Sequence, residues 1–124
     1  MIQIEIPIPQ KVSTNAIYAG MHWGKRKKIA DVYHQSLLEH RKLRVTDFPV
    51  EITFIFSFRK KPLDTSNCSF MAKCLEDALV QNEILPNDTI DFVSSITSSA
   101  KKAAKIKLRL WLCSCGKLNL QSMI

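Results

Sequence analysis

Apolar residues at every second position predict that three segments of this chain are β-strands. The clearest alternation runs from Val50 to Phe58, where every second residue is apolar. Two others run from Ile2 to Ile8, just before Pro9, and from Ile106 to Leu112. A period of two is typical of a strand with one buried face. The proline after the first run predicts that this strand ends there or lies at a sheet edge.

A weaker apolar run, from Ile90 to Thr97, predicts a fourth strand. Lys101 and Lys102 come after it and are predicted to lie in a polar turn. Residues 10–24 contain Ser, Thr, Asn and Gly, a composition that is typical of a loop.

Two further segments are predicted to be helices. Apolar residues recur every three to four positions from about Arg26 to Arg44, and Pro49 marks the break after this helix. A second helix is predicted to begin at Ser66 or Asn67, both of which are suitable N-caps, and to reach Gln81.

The order strand, helix, strand, helix, strand, strand predicts a single α+β domain. We expect a mixed or antiparallel four-stranded sheet covered by two helices. The domain is predicted to span residues 1–113, and the weakly patterned residues 114–124 form a C-terminal tail.

Composition narrows the class of protein. The chain has 124 residues, with 18 Lys and Arg against 11 Asp and Glu, and a formal net charge of +7. No apolar run approaches the roughly 20 residues that a membrane span needs, so no membrane partner is expected. The alternating N-terminus does not resemble a secretory signal, which favours a cytoplasmic protein. The surplus of positive charge points to a polyanionic partner.

The four cysteines lie at positions 68, 74, 113 and 115 without a CxxC pair. Reduced thiols, some of them packed as small apolar side chains, are the favoured interpretation, in keeping with a reducing compartment. A four-thiolate site assembled by the fold remains open.

Candidate chemistry is concentrated between the strongest strand and the third predicted strand. Asp64 follows three cations, Lys73 and Asp77 are four residues apart on the predicted helix, and Asp88 precedes the next strand. Carboxylates that converge near strand ends would form an oxygen site suited to Mg²⁺, and nearby cations would hold phosphates. The alternative is that Asp64 and Asp88 are ordinary turn residues and that Lys73 and Asp77 form a surface ion pair.

This stretch resembles the RusA family of Holliday-junction resolvases. The family pattern is a cation-rich strand end, an Asp-x-x-Asn or related segment, a helix with Lys and then Asp-x-Leu, and an acidic loop before a strand. The similarity covers about residues 2–112 and is carried by the following positions: Arg59, Lys60, Lys61, Asp64, Asn67, Lys73, Asp77, Leu79 and Asp88, with Ser13-Thr14-Asn15, Tyr18 and Tyr33 in the N-terminal half.

The resemblance implies a homodimer that uses Mg²⁺, with Mn²⁺ as the alternative ion, to make paired nicks in four-way DNA junctions during recombination and repair. It implies that Asp64 and Asp88 bind the metal, with Asp77 as a further candidate ligand. Lys73 matches a lysine required for catalysis. Ser66 and Asn67 occupy supporting positions in the motif.

The chain departs from the family pattern at two positions. Ser66 stands where the best-known members carry a second carboxylate, and Asn87 stands where they often carry an acid before the third strand. Both are weaker Mg²⁺ ligands than carboxylates. The alternatives are therefore a branched-DNA-binding protein with the same fold and little or no cleavage activity, and a basic nucleic-acid-binding adaptor unrelated to resolvases.

Cationic runs supply the candidate DNA-binding residues. They are Lys25, Arg26, Lys27 and Lys28, then Arg59, Lys60 and Lys61, and finally Lys101, Lys102, Lys105 and Lys107. Solvated helix faces and turns are the ordinary interpretation of any single run, but three runs together favour phosphate binding. Tyr18 and Trp23 lie in the predicted loop, where they either stack on unpaired bases or pack within the loop.

Overall fold

A computed structural model describes residues 2–114, which form four strands and three helices. The tail predicted for residues 114–124 lies outside this part of the chain, except for Ser114. In chain order the elements are β1 (Ile2–Ile6), α1 (Thr14–Tyr18), α2 (Trp23–Ser36), β2 (Val50–Phe58), α3 (Ser69–Gln81), β3 (Val93–Lys102) and β4 (Lys107–Cys113), with short 3₁₀ turns at Leu38–His40 and Thr65–Cys68.

The strands form one mixed sheet in the order β1-β4-β2-β3. β4 pairs antiparallel with both β1 and β2, whereas β2 and β3 are parallel. Ile52 in β2 lies opposite Leu112 in β4 and Ile96 in β3. The α+β class and the single four-stranded sheet predicted from the sequence are confirmed, and the sheet is mixed.

All three helices contribute to a single hydrophobic core with one face of the sheet. The even-numbered residues of β2, including Phe54, Phe56 and Phe58, are fully buried on that face. Tyr33 and Leu37 of α2 are also fully buried, and the Tyr33 hydroxyl donates to the Gln10 carbonyl at 2.6 Å. The opposite face of the sheet carries the odd-numbered, mostly polar residues, and no described helix covers it.

Two helix predictions need correction. Residues 14–18 are helical, not part of a loop, because the Ser13 hydroxyl accepts from the Ala16 N–H and caps a short helix. The helix predicted to reach Arg44 ends at Ser36, where the Asn82 side chain donates to the nearby His34 carbonyl. The chain then turns, and Val45 donates to the Ile84 carbonyl before β2 begins.

The third strand also differs from its prediction. Ile90 lies before the strand, whereas Lys101 and Lys102 lie inside it and not in a turn. These lysines continue the strand because they pair with Ser57 and Phe58 at the end of β2. Backbone pairing with a long neighbour therefore extends a segment whose side chains alone indicate a turn.

The arrangement of α2 and α3 decides which segments lie at the same end of the molecule. Their C-terminal ends are joined by the Asn82–His34 hydrogen bond, and their N-terminal ends by contacts of α1. The N-termini of both helices therefore lie near the loop that follows β2. The described helices include none that is long and apolar enough to cross a membrane.

Candidate acidic site and basic surface

Lys73 lies among three carboxylates. Its Nζ is 3.2 Å from Glu76 Oε1, 3.3 Å from Asp77 Oδ1 and 3.6 Å from Asp88 Oδ2. One oxygen from each of the three acids lies within 4.8 Å of the others. We call Lys73, Glu76, Asp77 and Asp88 the acidic site.

Helical periodicity and one loop together build this site. Glu76 and Asp77 follow Lys73 by three and four residues on α3, the spacings at which helical side chains meet. Asp88 lies in the loop between α3 and β3, where its N–H donates to the Asn87 side-chain oxygen at 2.7 Å. Residues that are 15 positions apart in the chain therefore meet at one point.

Burial distinguishes the members of the site. Glu76 is only 6% exposed, whereas the Lys73 side chain is 58% exposed. Desolvation alone lowers the pKa of Lys73, but the hydrogen bond to Glu76 and the charge of Asp77 outweigh it and raise this pKa well above its usual range. Lys73 is therefore a fixed cation at neutral pH and the counter-ion of a buried carboxylate.

Glu76 was not among the residues singled out from the sequence. The signal was its i,i+3 spacing from Lys73, which places it on the same side of α3 as Asp77. Glu76 also lies in an apolar stretch of α3, between Leu75 and Ala78. A charged residue on a buried helical face requires a partner of opposite charge, so this position could have been recognised from the sequence.

The donor set of the acidic site suits a hard divalent cation. Mg²⁺ binds oxygen at about 2.0–2.1 Å, so two ligands on opposite sides of the ion are about 4.2 Å apart. The three carboxylate oxygens spread over at most 4.8 Å. Small side-chain rotations would therefore bring them into range, provided that the Lys73 ammonium moves away from the space between them.

Asp64 lies outside this cluster. It follows β2, and it lines a surface pocket with Thr65 and with Lys101 and Lys102 of β3. Because β2 and β3 are parallel, the loop that leaves β2 and the loop that enters β3 are at opposite ends of these strands. The expected convergence of Asp64 and Asp88 is therefore not seen, and the part of the chain that is described groups Asp88 with α3 instead.

The supporting positions Ser66 and Asn67 lie in the 3₁₀ turn before α3. Ser66 is exposed, and the Asn67 carbonyl accepts from the Thr14 hydroxyl at 3.1 Å. Thr14 also accepts from the Phe70 N–H at 3.1 Å and lies 2.8 Å from the Ser69 hydroxyl. Ser69, one helical turn before Lys73, shares a surface groove with it.

Cations gather at the end of the sheet where β2 and β3 finish. Phe58 pairs with Lys102, so the cations that follow β2 lie beside those that end β3. The Lys11 ammonium donates to the Lys61 carbonyl and adds a further cation. We call this region the basic end: Lys11, Arg59, Lys60, Lys61, Lys101 and Lys102, with Asp64 as its acid.

The candidate stacking residues are solvent-exposed. Tyr18 at the end of α1 is 81% exposed and Trp23 at the start of α2 is 70% exposed. The Trp23 ring stacks on His22, which caps α2 by accepting from the Gly24 N–H at 3.1 Å. Lys25, Arg26, Lys27 and Lys28 follow in the first turns of α2 and are all exposed.

Cys68 and Cys74 pack within the hydrophobic core as free thiols. Burial, followed by the charge of Asp77, raises the pKa of the Cys74 thiol to about 11. Both cysteines therefore behave as small apolar side chains at neutral pH.

A scan against protein-family models finds no match, and a search of curated proteins finds no relative of this chain. The resemblance to the RusA family therefore stays a prediction from the sequence.

Proposed function

We propose that this protein is a Mg²⁺-dependent endonuclease of RusA type that nicks branched DNA. The observation that supports this proposal best is the meeting of Lys73, Asp77 and Asp88 at one point. The resemblance matches all three to positions of the family motif, and they meet although Asp88 comes from a separate loop. The proposed metal ligands are Glu76, Asp77 and Asp88.

Each residue of the acidic site has a distinct task in this proposal. Mg²⁺ bound here would supply Lewis acidity for phosphodiester hydrolysis. The carboxylates would hold the ion, and Glu76 is the most buried of the three. The Lys73 ammonium, displaced from between the carboxylates, stabilises the negative charge that develops on the phosphate.

The charge distribution supports DNA as the substrate. The basic end and the first turns of α2 both lie near the N-terminal end of α3, so they form one cationic side of the molecule. Exposed Tyr18 and Trp23 lie next to the cationic first turns of α2, where Arg26 donates to the Ile17 carbonyl, and offer stacking surfaces for unpaired bases. Four-way junctions combine closely spaced phosphates with bases that can unstack, and such a surface suits both features.

A junction-binding protein without cleavage activity is the second candidate. It is favoured by Ser66 and Asn87, which stand where the family pattern carries acids, and by the ion pairs that Lys73 already forms with the carboxylates of the acidic site. Binding of DNA would then use the same cationic side, with Lys73 kept as a structural counter-ion.

Binding and nicking assays with the full chain separate these functions. We expect the protein to bind a labelled immobile four-way junction more tightly than a linear duplex of the same sequence, and to nick it with Mg²⁺ but not with EDTA. Tight junction binding without nicking in Mg²⁺ or Mn²⁺ would favour the second candidate. Equal affinity for junction and duplex would favour a general nucleic-acid adaptor and contradict both.

A further inference from the structure

A surface groove lies along one stripe of α2. Its lining consists of four α2 residues at helical spacing, one residue from the segment after β1 and one from the turn before α2: Lys25, Lys28, Ile29, Val32, Gln10 and Met21. The volume is about 280 Å³, below the roughly 300–1,000 Å³ of sites for drug-sized ligands. This space, which we call the α2 groove, therefore suits single side chains of a larger partner better than a whole small molecule.

The α2 groove combines an apolar floor with a cationic rim. Ile29 is only 4% exposed and forms part of the floor, whereas Val32 leaves 39% of its surface open to solvent. Lys25 and Lys28 are exposed, so their aliphatic stems can lie on the floor while the ammonium groups stay in water. The one acid of α2, Asp31, does not line the groove. Apolar contact and positive charge are therefore offered at the same place.

Hydrogen bonds hold the walls of the α2 groove in place. The Tyr33 hydroxyl donates to the Gln10 carbonyl, so the segment after β1 is tied to α2. Arg26 donates to the Ile17 carbonyl at 3.1 Å, and the Met21 N–H donates to the same carbonyl at 3.4 Å. A partner would therefore meet a groove that is already formed, which lowers the cost of ordering it on binding.

The chemistry of the α2 groove favours an acidic partner with an apolar side chain. DNA phosphates would pair with Lys25 and Lys28 but carry nothing apolar for the floor. Unpaired bases stack on aromatic side chains, and the described residues that line the groove include none. Residues 115–124 of this chain carry a single charged side chain, Lys117, whose sign is the same as that of the rim. A peptide in which carboxylates flank an apolar side chain matches both rim and floor.

We propose that the α2 groove is a docking site for an acidic segment of another protein, in which Asp or Glu residues flank a large apolar side chain. The apolar side chain lies on Ile29 and Val32, and the flanking carboxylates pair with Lys25 and Lys28. The N-terminal end of α2, which is the positive end of the helix dipole, lies close to Lys25 and adds to the attraction. The groove shares no residue with the acidic site and needs no nuclease activity.

Docking at the α2 groove would compete with DNA, and this step rests on the proposed function. Lys25 and Lys28 belong to the cationic first turns of α2, which are candidate phosphate contacts. One ammonium group cannot pair fully with a partner carboxylate and a DNA phosphate at the same time. The docked protein and branched DNA would therefore exclude each other at α2, and the partner would regulate DNA binding from outside the acidic site.

Fluorescence anisotropy with the full chain tests the docking site. The ligand is a labelled synthetic peptide in which aspartates flank a leucine–phenylalanine pair. One control peptide replaces this pair by serines, and the other replaces the aspartates by lysines. We expect saturable binding of the acidic peptide, roughly tenfold tighter than that of either control. Binding should weaken as the salt concentration rises, because the rim lysines are exposed to solvent.

Two neighbouring lysines supply the matched control variant. Lys28→Glu reverses a charge on the rim, whereas Lys27→Glu makes the same change on the same helix outside the α2 groove. We expect Lys28→Glu to weaken binding of the acidic peptide by roughly tenfold and Lys27→Glu to have a much smaller effect. Val32→Asn removes apolar contact without a change of charge and should also weaken binding, whereas Val32→Ile should keep it.

The proposal is overturned by the absence of saturable peptide binding, by equal effects of Lys27→Glu and Lys28→Glu, or by unchanged binding in Val32→Asn. A single-stranded oligonucleotide that binds with the same dependence on Lys28 and Val32 would assign the groove to nucleic acid instead. If a four-way junction binds but does not displace the peptide, the docking site stands and the part of α2 in DNA binding is contradicted. If the junction binds and the peptide does not, only the docking site is contradicted.

Discussion

At the scale of single residues, Lys73 does two things. It neutralises a carboxylate of Glu76 that is almost completely buried, and it lies close enough to Asp77 and Asp88 to hold them together. A buried carboxylate without its cation carries a large desolvation cost. The same ammonium that stabilises the fold is therefore the group that a divalent ion would have to displace.

Lys73→Met tests this dependence. Because the substitution leaves Glu76 buried without its cation, we expect the free energy of unfolding to fall by about 1–3 kcal/mol. Adding Glu76→Gln should recover part of that loss, because a neutral amide costs less to bury. Urea denaturation measures both effects, and Lys42→Met, at an exposed position outside the acidic site, is the control. Additive losses in the double variant would contradict the coupling.

Cys74 gives the protein a sensitivity to alkaline pH. Its folded pKa is raised to about 11 from a usual value of 9.0, so the folded state keeps a proton that the unfolded chain loses. The corresponding stability is complete below pH 9 and disappears between pH 9 and 11, at up to about 1.4 kcal/mol per pH unit. Urea denaturation of Cys74→Ala should show a shallower fall over this range. Met71→Leu, a core change without a titrating group, should keep the original slope, and an unchanged slope in Cys74→Ala would contradict the assignment.

At the scale of elements, α1 holds the start of α3 in place. The single hydroxyl of Thr14 contacts the Asn67 carbonyl, the Ser69 hydroxyl and the Phe70 N–H, all at the N-terminal end of α3. This end precedes the turn that carries Lys73. The position of the acidic site relative to the cationic side therefore depends on a helix of only five residues.

Thr14→Val keeps the shape of the side chain and removes these hydrogen bonds. We expect a loss of about 1–2 kcal/mol in unfolding free energy, because the Phe70 N–H loses its acceptor. Amide hydrogen exchange should become faster at the start of α3 and stay unchanged in β2. Thr46→Val, at an exposed position before β2, is the matched control. Unchanged exchange at Phe70 in Thr14→Val would contradict this role.

The helices and strands also show which parts of the fold and of the acidic site can be predicted from the sequence. Alternation predicts β1, β2 and β4 because each has one face in the core. It does not reveal which strands are neighbours, and the parallel pairing of β2 and β3 is what separates Asp64 from Asp88. Helical spacing does predict that Lys73 and Asp77 meet. The contribution of Asp88 depends on the path of a loop, which has no periodic signal.

At the scale of the whole molecule, charge is segregated. The parallel β2–β3 pair gathers cations from two distant parts of the chain at its C-terminal end, and the N-terminus of α2 adds more near the same side. The acidic site lies further along α3. The net charge of +7 is therefore concentrated on one side and not spread evenly over the surface.

The salt dependence of DNA binding measures this segregation. Each lost phosphate contact lowers the slope of log affinity against log salt by about 0.9, so Lys101→Gln with Lys102→Gln should lower it by about 2. Lys42→Gln, at an exposed position outside the three cationic runs, should leave the slope close to that of the unaltered protein. Equal effects of both changes, measured by titration at several salt concentrations, would contradict a defined basic end.

The most direct test of the proposed nuclease compares two aspartates under single-turnover conditions. The rate of nicking of an immobile four-way junction is measured in Mg²⁺ for the unaltered protein, for Asp88→Asn and for Asp64→Asn, with junction affinity measured in parallel. We predict that Asp88→Asn loses at least 100-fold in rate while it still binds the junction, and that Asp64→Asn keeps most of the rate, because Asp64 lies outside the acidic site. Failure of the unaltered protein to nick, or a loss confined to Asp64→Asn, would contradict the account.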